Sequence, residues 1–182
     1  KNWNGLMSGF KESDLVFLDE SGCNTDMTRR YAYSLGGSRA IDSAPLSKPK
    51  NTTILSSIQL DGTLRYTTFS GGTTVERFKR YLETDLLPHL NGNSVLIMDN
   101  MKSHHAKAVK NLLDSSGVRY IYLPPYSPDL NPIEKLWSKV KAFLRKFKAR
   151  TLDALPNAIQ NTFHAVTVSD CSGWFRFCEY AL

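Results

Sequence analysis

Leu15-Val16-Phe17-Leu18-Asp19-Glu20-Ser21-Gly22 and Val95-Leu96-Ile97-Met98-Asp99-Asn100 share one grammar: four apolar residues, an Asp, then a polar break. Short apolar runs bounded by turn signals read as strands buried on both faces, the type found in parallel sheets. Open sheets with parallel strands place their sites just beyond the strand carboxyl ends. If these two strands are neighbours, Asp19 and Asp99 stand side by side at one edge. A third carboxylate, Glu134, closes the stretch Pro124-Pro125-Tyr126-Ser127-Pro128-Asp129-Leu130-Asn131-Pro132-Ile133-Glu134, a proline-rich turn that opens a long basic helix. Three acids at one spot repel one another unless a cation holds them. The pattern therefore points to a magnesium-dependent phosphoryl-transfer site.

The rest of the chain supplies a frame for those strands. Residues 52–60 and 63–69 are rich in Thr, Ile and Tyr and flank Asp61-Gly62, a strong hairpin signal. Thr73 or Thr74 caps a helix running to about 87, with Val75, Phe78, Tyr81 and Leu82 at helical spacing. A strand over 94–99, a helix over 106–115 and a strand over 118–123 follow. Helices are predicted over 132–148 and 151–166, with a short one over 170–180. Residues 24–50 read as an irregular excursion with one short strand near 30–35. A three-stranded antiparallel start followed by right-handed crossovers gives an α/β fold with a five-stranded mixed sheet flanked by helices. That is the ribonuclease-H-like plan with extra C-terminal helices. Residues 1–13 are expected to be a lead-in or linker with Trp3 packed against the body. Residues 14–150 form the core, and 151–182 a helical extension of the same domain.

At 182 residues the chain is long enough to bury a substantial core. A net charge of +6 and a pI near 9.2 favour a polyanionic partner. No apolar run approaches the roughly 18 residues of a membrane span, and no signal peptide is visible. Cys23, Cys171 and Cys178 lack the close pairing of a zinc site and read as free thiols in a reducing cytosol. The first residue is Lys rather than Met, so an N-terminal portion is expected to have been removed.

Each candidate residue has a structural competitor. Asp19 or Asp99 alone could be a turn residue bonding nearby amides; the paired grammar favours two metal ligands. Glu20 would point to the opposite sheet face if its strand continued, and ranks below Asp19. Asn131-Pro132-Ile133-Glu134 also reads as a capping box, with Glu134 bonding back to the Asn131 amide. The helix after it carries one apolar stripe, Ile133, Leu136, Trp137, Val140, Phe143, Leu144 and Phe147, with lysines and arginines on its other faces. Lys135, Lys139, Lys141 and Arg145 are candidate phosphate contacts. Ser138, Lys141 and Arg145 share the side of Glu134. A histidine at a helix start is most often a surface or capping residue; His104 or His105 is otherwise a candidate for touching the scissile phosphate or positioning water. Arg29 and Arg30, beside Tyr31, form a second basic-aromatic spot for nucleic acid.

Together, Phe17-Leu18-Asp19-Glu20-Ser21-Gly22, Met98-Asp99-Asn100 with His104, and the proline-rich motif through Glu134 resemble the DDE transposases of the mariner superfamily. Between Asp99 and Glu134 lie 34 residues, similar to the spacing of the bacterial insertion-sequence branch. The resemblance runs from about residue 14 to the end. It implies cut-and-paste transposition by a catalytic domain with two divalent ions, Mg2+ with Mn2+ able to substitute, and it decides for Glu134 as a ligand. By position, Asp19 would bridge both ions, Asp99 would bind one and Glu134 the other. The implied partners are transposon-end DNA and target DNA at TA dinucleotides, with the full-length protein a homodimer. The implied location is the bacterial cytoplasm, at the nucleoid. Family members carry N-terminal helix-turn-helix modules, and none is visible before Lys1, so the chain is expected to be a catalytic portion. Two alternatives stay open: a structure-selective nuclease using the same acids, and a non-catalytic DNA-binding or dimerisation remnant.

Overall fold

The computed structural model describes residues 3–28, 31–42, 51–148 and 151–180. Its elements in chain order are α1 (Trp3–Met7), β1 (Leu15–Cys23), β2 (Thr52–Gln59), β3 (Leu64–Ser70), α2 (Val75–Tyr81), β4 (Val95–Met98), α3 (Lys107–Ser116), β5 (Arg119–Tyr122), α4 (Ile133–Phe147), α5 (Ala154–His164) and α6 (Val168–Phe177). The strands form one sheet in the order β3-β2-β1-β4-β5. β2 runs antiparallel to both of its neighbours, β1 and β3, whereas β1, β4 and β5 run parallel. This is the mixed ribonuclease-H-like sheet that the element order predicts.

β1 and β4 are near-continuous apolar runs because both of their faces are covered. On one face Phe17, Ile54, Ile58 and Ile97 pack under α4, α5 and α6. Phe175 of α6 meets Phe17 edge-on at 5.4 Å, and Phe163 of α5 stacks on Tyr66 of β3 at 4.0 Å. On the other face Val16, Leu18, Leu55, Leu96 and Met98 meet α2 and α3. Each such large side chain taken fully out of water contributes about 1.5–3 kcal/mol. Thr74 caps α2 by accepting from the Arg77 N–H, as the sequence suggests. Among the described residues no helix is long and apolar enough to cross a membrane.

Three expectations differ from the structure. β1 does not stop at 19 but runs on to Cys23, because β2 goes on pairing with it, out to Cys23↔Thr52. No strand forms over 31–35, where the side chains are exposed and find no sheet edge to join; Arg30 lies outside the described residues. The lead-in forms a short helix, which the sequence reading did not include: α1 docks on the core through Met7, and Trp3 packs against the body as expected, its indole N–H donating to the Tyr180 hydroxyl at 2.8 Å.

The hairpin turn between β2 and β3 is packed as well as bent. Gly62 sits at φ +88°, and a Cβ there would stand 3.0 Å from Val168 Cγ2 and 3.2 Å from its Cα, at the start of α6. Gly117, at φ +71° after α3, has open space around it. Gly117→Ala is therefore expected to cost only the left-handed backbone strain, about 1 kcal/mol, and Gly62→Ala roughly 2–4 kcal/mol because packing is added. Equal losses in urea unfolding would contradict the packing role of the turn.

Candidate active site

The position of Asp19 follows from where two ladders end. β4 pairs with β1 only as far as Leu18↔Met98, whereas β2 stays paired four residues beyond Asp19. Asp19 is thus the first residue past the parallel ladder, held in extended backbone with an open flank where β4 has turned away. Alternation puts it on the face of Leu15 and Phe17, toward α4. There the Trp137 indole N–H donates to Asp19 Oδ2 at 3.0 Å. Asp19 is only 7% exposed. Burial pushes its carboxyl up to about 7, with the charges of Asp99 and Glu134 adding to the shift, while the Trp137 bond and a backbone N–H oppose it.

Asp99 lies one residue beyond β4. Its Oδ1 accepts from the Met101 N–H at 3.0 Å, and His104 Nδ1 stands 2.8 Å from the same oxygen. The other ring nitrogen of His104 lies 3.2 Å from Glu20 Oε2, and the ring stacks on Phe78 at 4.1 Å. Facing two carboxylates, the imidazole is protonated. Burial works against its charge, but Asp99 and Glu20 outweigh burial and raise it to about 9. Burial likewise pushes Asp99 up, and the His104 and Met101 contacts more than reverse this, holding it below the usual carboxylate range. His104, a candidate phosphate contact in the sequence, is 0% exposed and enclosed behind Asp99. Glu20 does point to the opposite face from Asp19, yet it reaches the same site through His104. The loop is also stitched to β5, where Asn100 donates to the Leu123 carbonyl and the Tyr122 hydroxyl to the His104 carbonyl.

Glu134 arrives from the third direction, in the first turn of α4. The capping box predicted for it does not form. The buried Asn131 Oδ1 accepts no capping N–H, and only the backbone Glu134 N–H to Asn131 carbonyl bond links the two residues. Asn131 is extended and Pro132 already helical, as the sequence suggests, but the Glu134 carboxylate is exposed. Asp19, Asp99, Asn131 and Glu134 line one cavity of about 420 Å³ beneath the proline-rich turn. Among the described residues no three His, Cys, Asp or Glu side chains stand close enough to hold a metal unaided. A hard cation such as Mg2+ commonly takes one or two carboxylates and completes its shell with water and phosphate. The donor set suits such an ion: carboxylate oxygens, mutually repelling, one of them pushed toward neutrality for want of positive charge.

The basic residues divide. Lys139 is paired with Asp170 of α6, and Lys135 places its ammonium 3.6 Å from the Phe177 ring. Both stitch α4 to the C-terminal helix. Lys141 and Arg145 are half-buried, on the helix side that carries Glu134 and Ser138. Arg29 and Arg30 lie outside the described residues. Trp137 is the site residue that sequence reasoning assigned to the core stripe alone. A buried indole N–H needs an acceptor, and this one stands one helical turn after Glu134, which was the available signal.

Asp19 has a stability consequence with a definite sign. Its folded carboxyl titrates near 7 and its unfolded one near 3.8. Between those values the folded chain binds the proton that the unfolded chain has lost, so stability falls as pH rises through the window and stays low above it. Asp19→Asn keeps an acceptor for Trp137 and removes the charge. In EDTA near pH 8 it is expected to melt roughly 4 °C or more above wild type, the gap closing toward pH 4. A gap independent of pH would refute the assignment.

Comparison with known proteins agrees with this geometry. A family model described as DDE superfamily endonuclease matches residues 14–156. The Tc1 transposable-element transposase of Caenorhabditis elegans is 29% identical over 97 residues, 51% of this chain and 36% of that protein. Among solved structures, a pre-cleavage Mos1 transpososome superposes with a TM-score of 0.82 at 19% identity, covering 96% of this chain and 56% of that one. The Mos1 transposase catalytic domain, solved with raltegravir and Mg, superposes at 0.72 with 18% identity, covering 97% of this chain and 86% of that one. At such identities the structural likeness speaks for the fold. The chain spans about a third of the length of the curated relative it matches. With the family match covering most of its length and the three acids gathered at one sheet edge, the chain belongs to the DDE superfamily of endonucleases.

Proposed function

We propose that this chain is the catalytic domain of a cut-and-paste DNA transposase of the mariner/Tc1 type, nearest to the bacterial insertion-sequence branch in its 34-residue spacing between Asp99 and Glu134. The observation that carries the reading is the convergence of Asp19, Asp99 and Glu134, from β1, the end of β4 and the start of α4, on one cavity. Those three carboxylates would hold two Mg2+ or Mn2+ ions. When bound, the ions supply Lewis-acid activation of the attacking oxygen and charge relief at the leaving oxygen of an in-line displacement. The chain's own part is to fix the acids before DNA arrives. Trp137 holds Asp19, the loop over 99–105 holds Asp99, and α4 carries Glu134.

In the first reaction water attacks a phosphodiester and leaves a 3′-hydroxyl on the transposon end. In the second that hydroxyl attacks a target phosphodiester, forming the new bond and releasing a target 3′-hydroxyl. The substrates are transposon-end DNA and a target at TA dinucleotides, and the whole protein acts as a homodimer at the bacterial nucleoid, in the cytoplasm. Lys141 and Arg145, on the side of α4 that carries Glu134, serve as phosphate contacts; Arg29 and Arg30 are assigned the same role.

The deciding assay joins short DNA duplexes with a free 3′-hydroxyl to supercoiled plasmid in Mg2+ or Mn2+. Joining is expected in wild type and absent in Asp99→Ala and Glu134→Ala. Nicking without joining would replace the transposase reading with a nuclease of the same fold. Folded protein that binds DNA yet cuts nothing in either metal would overturn both. DNA binding gives an independent check. Lys141→Ala and Arg145→Ala are each expected to lower the slope of log K against log[salt] by about one. Lys139→Ala should leave that slope alone and lower the melting temperature, because its charge is engaged by Asp170.

A further inference from the structure

β1 presents two consecutive acids to opposite sides of the sheet, and the second has no part in the reaction as described above. Glu20 Oε2 meets His104 Nε2 at 3.2 Å, and His104 Nδ1 meets Asp99 Oδ1 at 2.8 Å. The relay is enclosed: the His104 side chain has no exposed surface and that of Glu20 only 10%. Phe78 closes one face of the ring. Asp99 Oδ1 also accepts from the Met101 N–H. His104 Nδ1 also lies 3.4 Å from the Asp99 carbonyl oxygen, and among the described residues the contacts of the Asp99 side chain fall on Oδ1 and none on Oδ2. A carboxylate clamped through one oxygen cannot rotate, so it offers the cavity one atom in one orientation.

We propose that Glu20 and His104 are positioning residues, a carboxylate–imidazole relay from the far side of the sheet that locks Asp99 so that Oδ2 is the oxygen presented to a divalent ion. The role rests on the metal-site reading given above and deepens it. Partners of this kind are worth about 10–100-fold in metal affinity where they orient a ligand. A buried ion cluster that merely stabilised the fold would change melting temperature and leave metal affinity unchanged. The two roles are separated by which ring nitrogen a substitute reproduces. His104→Asn retains a donor at the position of Nδ1 and keeps the Asp99 contact. His104→Gln retains one at the position of Nε2 and keeps the Glu20 contact instead. Both lose the ring stacked on Phe78, so their packing losses are matched.

The probe is Mn2+, titrated into the whole chain with a short DNA duplex present and followed by electron paramagnetic resonance below the melting point of every variant. Asp99→Ala defines the signal that belongs to this site. His104→Gln is expected to weaken that binding about 10-fold or more, with His104→Asn remaining within about threefold of wild type. Should the His104 variants fail to fold, Glu20→Gln and Glu20→Ala carry the test. Glu20→Gln keeps an acceptor and should bind like wild type; Glu20→Ala should weaken binding. Equal Mn2+ affinities within each pair, or tighter binding in His104→Gln, would overturn the positioning role while leaving the metal site standing. A wild type without any Asp99-dependent Mn2+ signal would overturn the metal site and the relay together.

Discussion

A carboxylate in the middle of the central strand of a buried sheet is the constraint to which the other parts of this structure answer. Such a group must be paired, bonded or neutralised. Asp19 is met by one indole N–H, and its carboxyl still rises to about 7. The unrelieved charge is possible only because β4 stops at Met98 and opens a flank to the cavity while β2 keeps β1 extended. A longer β4 would close that flank with backbone, and a shorter β2 would let Asp19 turn out to solvent. The mixed sheet, parallel on one side of β1 and antiparallel on the other, provides both conditions at one residue.

The two sides of β1 then solve different problems. On the α4 side Asp19 remains short of positive charge, which suits a group meant to meet a cation. On the α2 side Glu20 is supplied with one, the His104 imidazolium, and that ring passes the order on to Asp99. Burial works against the charges of Asp19 and Asp99, and what distinguishes the two is the partner: an indole dipole for Asp19, the His104 ring for Asp99. Hence the acids of the cavity are unlike one another before any ligand binds, with Asp19 raised and Asp99 lowered.

Much of this was legible in the amino-acid sequence, for identifiable reasons. Runs such as Leu15–Leu18 and Val95–Met98 are too apolar for an edge, Asp61-Gly62 marks a hairpin, and the stripe on α4 has one period throughout; each is a local signal with a local cause. What escaped were facts set by partners distant in sequence. Trp137 reads as one more core residue until Asp19, 118 positions away, supplies its acceptor. His104 reads as a surface residue at a helix start until Phe78 and Glu20 enclose it. Lys139 reads as one more solvated lysine of a basic helix until Asp170 arrives from α6. The capping box at Asn131 was a local signal that does not hold: the Asn131 Oδ1 has no partner, and the Glu134 carboxylate is displaced from the Asn131 amide to the surface.

That displacement has a geometric consequence. Glu134 and Trp137 are three residues apart on α4, nearly one turn, with an axial rise of about 4.5 Å between them. Trp137 is seated in the core and bonded to Asp19, so the helix acts as a ruler that sets how far the exposed Glu134 can stand from the buried Asp19. Had Glu134 been drawn back into a cap with the Asn131 amide, the ruler would measure to a carboxylate facing the wrong way. With no cap bond to Asn131, the third acid has its position fixed by the same helix that holds the first.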